Sequence, residues 1–257
     1  MARSCPELAV ARVAQARHDE AVPVEPGVDR RREYVDVRVL PVDPLDPLAR
    51  GQEAHQDDVR RAVLEGFGLG TTQLRVNGLL WGIDGRIYGA NGRSGGRVRR
   101  SSDPPERAVD IERSDFRFDR LTFEPEAIAG RSQFGHAFDA WGHRFLSWNT
   151  VHIRQEMLSP RDLERHPRLL RAETVAAISD HGDSARIYAL VPPPKTFNDE
   201  PTDHFNASCG LTVESGGVFP PSHAGNAFVC EPLVGLVHRD HLEPGPGPAL
   251  VARRGEE

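Results

Sequence analysis

The chain has 257 residues, with 38 Asp and Glu against 32 Lys and Arg for a net charge of −6, and it is rich in turn formers with 24 Gly and 21 Pro. That length can bury one substantial core or two small ones. Nucleic acid is excluded as a partner, because no basic block interleaved with aromatics is present to neutralise phosphates. No apolar run approaches transmembrane length, and Met1 to Val10 carries Arg3, Pro6 and Glu7 where a signal peptide needs an apolar core.

Residues 1–60 predict a poorly ordered or appended segment. Leu8 to Ala21 is rich in Ala and Arg and predicts a short helix, while Pro41-Val-Asp-Pro-Leu-Asp-Pro47 excludes regular structure because each Pro removes a donor and restricts its predecessor. From Ala62 onward the chain reads as all-β. Leu74-Arg-Val and Leu79 to Ile83 alternate as strands, and Asp84-Gly85 turns them back into Arg86-Ile-Tyr-Gly. Gly92 to Asp110 predicts a polar loop, and Asp115-Phe-Arg-Phe-Asp119 a strand with both Phe on one face.

Gly130 to His152 repeats the pattern of the upstream hairpin Asn77 to Gly92: a strand, an Asp/Gly turn, a second strand and a polar end. Recurrence of such a unit is how a β-propeller writes its blades. Ser159-Pro-Arg-Asp predicts a capped helix start, and Ala185 to Val191 a strand stopped by three prolines. Ala207 to Val213 and Asn226 to Pro232 form a further strand pair. Cys209 and Cys230 lie on them, placed for either a cross-strand disulfide or two buried thiols. Residues 246–257 predict a disordered tail.

Two glycine motifs carry no chemistry. Gly92-Arg-Ser-Gly-Gly96 matches a nucleophile elbow in letters but lacks the helix that must follow. Gly66-Phe-Gly-Leu-Gly70 opens no helix and has no following Lys-Ser/Thr. The histidines His136, His143, His152, His204 and His238, with Asp139, form no zinc-type spacing; on strand ends they could still converge on one mouth. Trp81, Trp141 and Trp148 read as packing residues.

The segments Thr72 to Gly92, Asp115 to Asp119, Ser132 to Phe145, Ile178-Ser-Asp-His-Gly182, His204-Phe-Asn-Ala-Ser-Cys-Gly210 and Phe228-Val-Cys-Glu-Pro232 together resemble the propeller domain of a membrane-bound dehydrogenase family common in planctomycetes and verrucomicrobia. That family is similar in turn to the six-bladed soluble quinoprotein glucose and sorbosone dehydrogenases. The resemblance implies a partial six-bladed propeller over residues 61–245, from an exported, periplasmic oxidoreductase. It implies oxidation of a sugar or alcohol, pyrroloquinoline quinone and Ca²⁺ as cofactors, and electron transfer to a c-type haem domain outside this chain.

The site it implies has His136 or His204 as base, Arg75 orienting the substrate, and Asn77, Gln133, Asn149 and His152 binding it. Asp139 and Glu231 would supply hard oxygen ligands to Ca²⁺. The quinoproteins' catalytic His falls at Gly130 in this chain. There is room for about four blades, which predicts either a fragment of a longer protein, the favoured reading, or a propeller whose missing blades come from another chain. Two alternatives stand beside the dehydrogenase: a non-catalytic propeller binding carbohydrate or a partner protein, and a Ca²⁺-dependent lactonase-type hydrolase.

Overall fold

The computed structural model describes residues 9–12, 33–39, 60–166, 168, 173–188, 203–217 and 219–255. Within them the chain is all-β, in four antiparallel sheets with one short α-helix and three single 3-10 turns. The first sheet contains β1 (Ala9–Arg12), β2 (Glu33–Val39), β3 (Arg60–Phe67), β6 (Gly96–Arg100) and β7 (Val109–Asp110), in the order β1-β2-β3-β6-β7. The second runs β4-β5-β8-β9: β4 (Asn77–Trp81), β5 (Arg86–Ala90), β8 (Asp115–Asp119) and β9 (Pro125–Ile128). The third is a strict meander of β10 (His136–Phe138), β11 (Arg144–Trp148), β12 (Val151–Glu156) and β13 (Val175–Ala177). The fourth repeats it with β14 (Cys209–Val213), β15 (Asn226–Glu231), β16 (Leu236–Pro244) and β17 (Leu250–Arg254). None of the sheets closes into a barrel. Among the described residues no helix is long and apolar enough to cross a membrane.

Three expectations about elements are corrected. Ala9–Arg12 is a strand paired with β2, not part of a helix, so sheet pairing overrides the helix preference of Ala and Arg. Gly92 to Asp110 is not wholly loop: β6 forms with Val98 as its one deeply buried side chain, because Arg99 reaches the Glu65 carboxylate and Arg100 pairs with Asp103 at 2.7 Å. The tail is ordered through Leu250–Arg254, since Ala252 is buried and Leu250 N–H donates to Gln155 Oε1 at 2.8 Å.

Between Ala185 and Tyr188 the only pairing is an isolated Arg186–His204 bridge, and 189–191 lie outside the described residues, as do 41–47 and Cys5. The helix α1 (Pro160–Arg165) forms as expected, with Ser159 and Asp162 making a reciprocal capping box.

The sheets pack in sequence order. Val63, Leu64, Phe67 and Val98 of the first meet Ile87, Phe116 and Phe118 of the second. Ala137, Phe145 and Ile153 of the third meet Leu211, Val213, Ala227 and Val229 of the fourth. The seam between second and third sheets is polar. Arg144 on β11 pairs with Asp115 on β8 and with Glu156 at 3.0 Å, and donates to the Ala129 carbonyl at 2.9 Å and to His136 Nδ1 at 3.2 Å. Asp115 also accepts from Asn91 N–H (2.8 Å), Ser132 N–H (2.9 Å) and Ser132 Oγ (2.6 Å), so this buried carboxylate ties three segments together.

Gly130 sits beside that seam with φ of +80°, and a Cβ there would lie 2.4 Å from Leu146 Cδ2 and 3.0 Å from Val175 Cγ2. The position therefore admits neither the backbone nor the volume of a histidine. Gly130→His is expected to destabilise the fold by about 2 kcal/mol or more, read as a lower urea midpoint at an unchanged slope.

Candidate functional site: a polar rim

The segments leading into β4, β10 and β14 are joined end to end by hydrogen bonds. Asn77 Nδ2 donates to the carbonyls of Arg75 and Gln133, both at 2.9 Å. The buried Gln133 presents Oε1 to Asn149 N–H at 3.4 Å, and Ser208 N–H donates to the Asn149 carbonyl at 3.1 Å. Gly92 N–H reaches Ser132 at 3.0 Å and Gly210 N–H reaches Phe134 at 3.2 Å. Gly92 allows this close approach: its φ is +70° and a Cβ would stand 1.9 Å from the Arg75 carbonyl oxygen. Asn77, Gln133 and Asn149 are thus brought together, with Arg75 contributing its carbonyl.

Beside this rim three guanidiniums surround one indole. Arg93, Arg154 and Arg131 lie 5.0, 5.6 and 5.9 Å from the Trp148 ring centre. They are chained through backbone carbonyls: Arg131 donates to Arg93 O at 2.7 Å and Arg154 to Arg131 O at 2.8 Å. Among the described residues none of the three has a carboxylate within ion-pair distance, and burial pulls the Arg154 pKa down. Four buried polar atoms of this region have no hydrogen-bond partner: Nε of Arg131 and Arg154, Oδ1 of Asn149 and Oγ of Ser208. Buried orphans of this kind mark where water or a ligand completes the shell. Trp148, read from sequence as a packing residue, also lines this candidate site. Arg93 and Arg154 were not legible as site residues, because a lone Arg in a polar loop or strand reads as surface.

The other expected residues are placed elsewhere. His136 is buried, with Nε2 held 2.7 Å from the Gly78 carbonyl and Nδ1 accepting from Arg144. Burial, reinforced by the positive charge of Arg144, lowers its pKa from 6.5 to about 3. It is a neutral structural ring, not an exposed base. Below about pH 6.5 the unfolded chain takes a proton that the folded ring refuses, so stability falls as pH falls from 6.5 toward about 3. Chemical denaturation at pH 7.5 and 5 is expected to show that loss, and His136→Gln to flatten it.

Asp139 caps its own turn, accepting from Trp141 N–H (3.0 Å), His143 N–H (2.8 Å) and the His143 ring (2.7 Å). Glu231 accepts from the N–H groups of Asn206 (3.0 Å), Ala207 (2.9 Å) and Leu233 (3.4 Å). Both carboxylates are committed to backbone, one in the β10–β11 turn and one at the end of β15 in another sheet, so they do not form the expected Ca²⁺ site. His204 pairs with the neighbouring Asp203 at 3.1 Å, and no contact joins it to His136. Cys209 and Cys230 stand directly opposite one another in register as free thiols, with burial raising the Cys209 pKa.

His152, expected at the rim, instead lies between the third and fourth sheets. Its Nε2 is 2.9 Å from Asp240 Oδ2, and His238 Nε2 is 2.9 Å from the other oxygen of the same carboxylate. These two bonds hold Asp240 well below the usual carboxylate range although burial opposes it. The His181 ring stacks on His152 with centres 5.0 Å apart, and Phe205 stacks on it at 4.2 Å. His181 and Asp240 gave no sequence signal as site residues, because the pairing bridges strands 88 positions apart.

The architecture and site define an all-β domain of successive antiparallel sheets with a cationic, aromatic rim and a buried histidine–aspartate cluster. The chain belongs to the DUF7133 family, a domain of unknown function, whose family model matches residues 50–256. Neither a curated protein nor a solved structure matches it.

Proposed function

We propose that the sheets from β3 to β17 form part of a β-propeller of the quinoprotein-dehydrogenase-like kind, and that its polar rim binds a small anionic molecule. Two consecutive four-stranded meanders packed face to face, β10–β13 and β14–β17, support the blade reading. The single observation that carries the ligand site is the set of orphaned donors on Arg131 and Arg154, beside guanidiniums without carboxylate partners. Guanidiniums present planar forks suited to carboxylates and phosphates.

A planar polycarboxylate such as pyrroloquinoline quinone fits this donor set: Arg93, Arg131 and Arg154 would hold its carboxylates, and when bound it would supply a hydride acceptor. Asn149 and Ser208 would position a hydroxylated substrate alongside. The alternative is a binding module without catalysis. It is favoured by Gly130, which admits no histidine, and by His136, whose ring is buried with both nitrogens engaged.

The two separate in one assay. The full chain, incubated with the quinone, Ca²⁺ and a redox dye, is presented with aldoses, polyols and alcohols. Substrate-dependent dye reduction supports the dehydrogenase. Saturable binding without reduction supports the binding module, and absence of both sinks the rim as a ligand site.

A further inference from the structure

We propose that His152, His181, His238 and Asp240 form a binding site for a divalent first-row transition metal, zinc in particular, that pins the third sheet to the fourth. One donor atom from each of the four lies within 4.8 Å of the other three. His152, His238 and Asp240 are fully buried, and His181 is partly buried. The donors come from three places: β12, the turn after β13, and β16, where His238 and Asp240 at i and i+2 share a face.

Three imidazoles and one carboxylate form an N₃O set. That set suits zinc and its neighbours and disfavours Ca²⁺ and Mg²⁺, which prefer all-oxygen shells. With four protein donors the shell is closed, which is the pattern of a structural metal and not of a catalytic one.

The surroundings fit the same reading. The Nδ1 of His181 is held by Asp180 Oδ1 at 2.7 Å, while its Nε2 is buried with no hydrogen-bond partner. A carboxylate on the far nitrogen is the usual second-shell support of a metal-bound histidine, because it fixes the tautomer that offers the near nitrogen's lone pair. His152 and His238 already point Nε2 at the Asp240 carboxylate from two sides, so their protons occupy the place a cation would take.

On binding, His152 and His238 exchange the Nε2 proton for one on Nδ1 and ligate through Nε2, His181 ligates through the Nε2 that its bond to Asp180 leaves open, and Asp240 turns one oxygen to the metal. The donors then close to about 3.3 Å apart, the edge of a tetrahedron with zinc–nitrogen distances near 2.0–2.1 Å. Stacking of Phe205 on His152 keeps one side of the site dry.

The test uses the full chain, stripped with chelator and reloaded with Zn²⁺ alone. One zinc per chain by elemental analysis, a higher melting temperature, and the absorption of tetrahedral Co²⁺ in the cobalt-loaded protein are expected. His181→Ala removes a donor but leaves the two bonds to Asp240 intact, and it should abolish stoichiometric binding. Asp180→Asn should weaken affinity by about 10–100-fold, and His143→Ala, at an exposed turn, should change nothing. Failure of the folded wild-type chain to take up zinc overturns the proposal. So does His181→Ala binding as tightly as wild type, or His143→Ala losing the metal.

Discussion

Arg144→Met is expected to lower stability by about 3–5 kcal/mol and the melting temperature by about 10 °C or more. The guanidinium is buried and serves four partners at once: Asp115, Glu156, the Ala129 carbonyl and His136. Methionine restores the packed volume but leaves the fully buried Asp115 carboxylate without its counter-charge. Burial pushes the Asp115 pKa up, and only the charge of Arg144 acting together with its other partners, the hydrogen bonds from Ser132 and Asn91 among them, brings it below the usual carboxylate range.

That contribution is present above the ordinary carboxylate range and is lost as pH falls through the depressed value. The Arg144→Met variant should therefore lose part of the acid sensitivity of the wild type. Adding Asp115→Asn should recover a share of the lost stability, since the uncompensated charge is then gone. Thermal and urea unfolding of the two variants at pH 7 read both effects, and a double variant no better than Arg144→Met would mean the charge is not the cause.

Glu231→Ala should cost about 3 kcal/mol or more, because it strands the backbone N–H groups of Asn206, Ala207 and Leu233 that its carboxylate now satisfies. These donors set the path of the chain into β14, so the loss reaches the fourth sheet. Burial raises the Glu231 pKa while the three donors oppose it. Glu231→Gln relieves the buried charge and keeps one acceptor, so it should lose clearly less than alanine. Since the carboxylate is committed to backbone, a Ca²⁺ titration should leave the melting temperature of wild type and Glu231→Gln alike unmoved. A calcium-dependent rise present only in wild type would restore Glu231 as a metal ligand.

Local chemistry explains what was legible. The Asp84-Gly85 hairpin and the Ser159–Asp162 capping box are set by a few adjacent residues, and both form. β6 and β17 were missed because they bury little on their own; they are strands through partners such as Glu65 and Gln155. The Ala/Arg-rich run around Ala9–Arg12 follows its strand partner over its helix propensity.

At the rim, Asn77, Gln133 and Asn149 were picked out by the family resemblance, and hydrogen bonds between the sheets do bring them together; their binding role belongs to the proposal. Asp139 and Glu231 misled because a carboxylate beside a turn looks the same in sequence whether it faces a cation or its own backbone. The histidine cluster was half visible, since its members join only when β12 meets β16.

The proposed ligand of the rim around Trp148 is an anion held by Arg131 and Arg154. Isothermal titration of the full chain with pyrroloquinoline quinone tests it most directly, with Arg131→Gln and Arg154→Gln in parallel and circular dichroism confirming that each variant is folded. Saturable one-to-one binding by wild type, weakened about 10–100-fold in each variant as expected for loss of a charged hydrogen bond, is the predicted result. Equal affinity in wild type and both variants, or no binding to the folded wild-type chain, would contradict it.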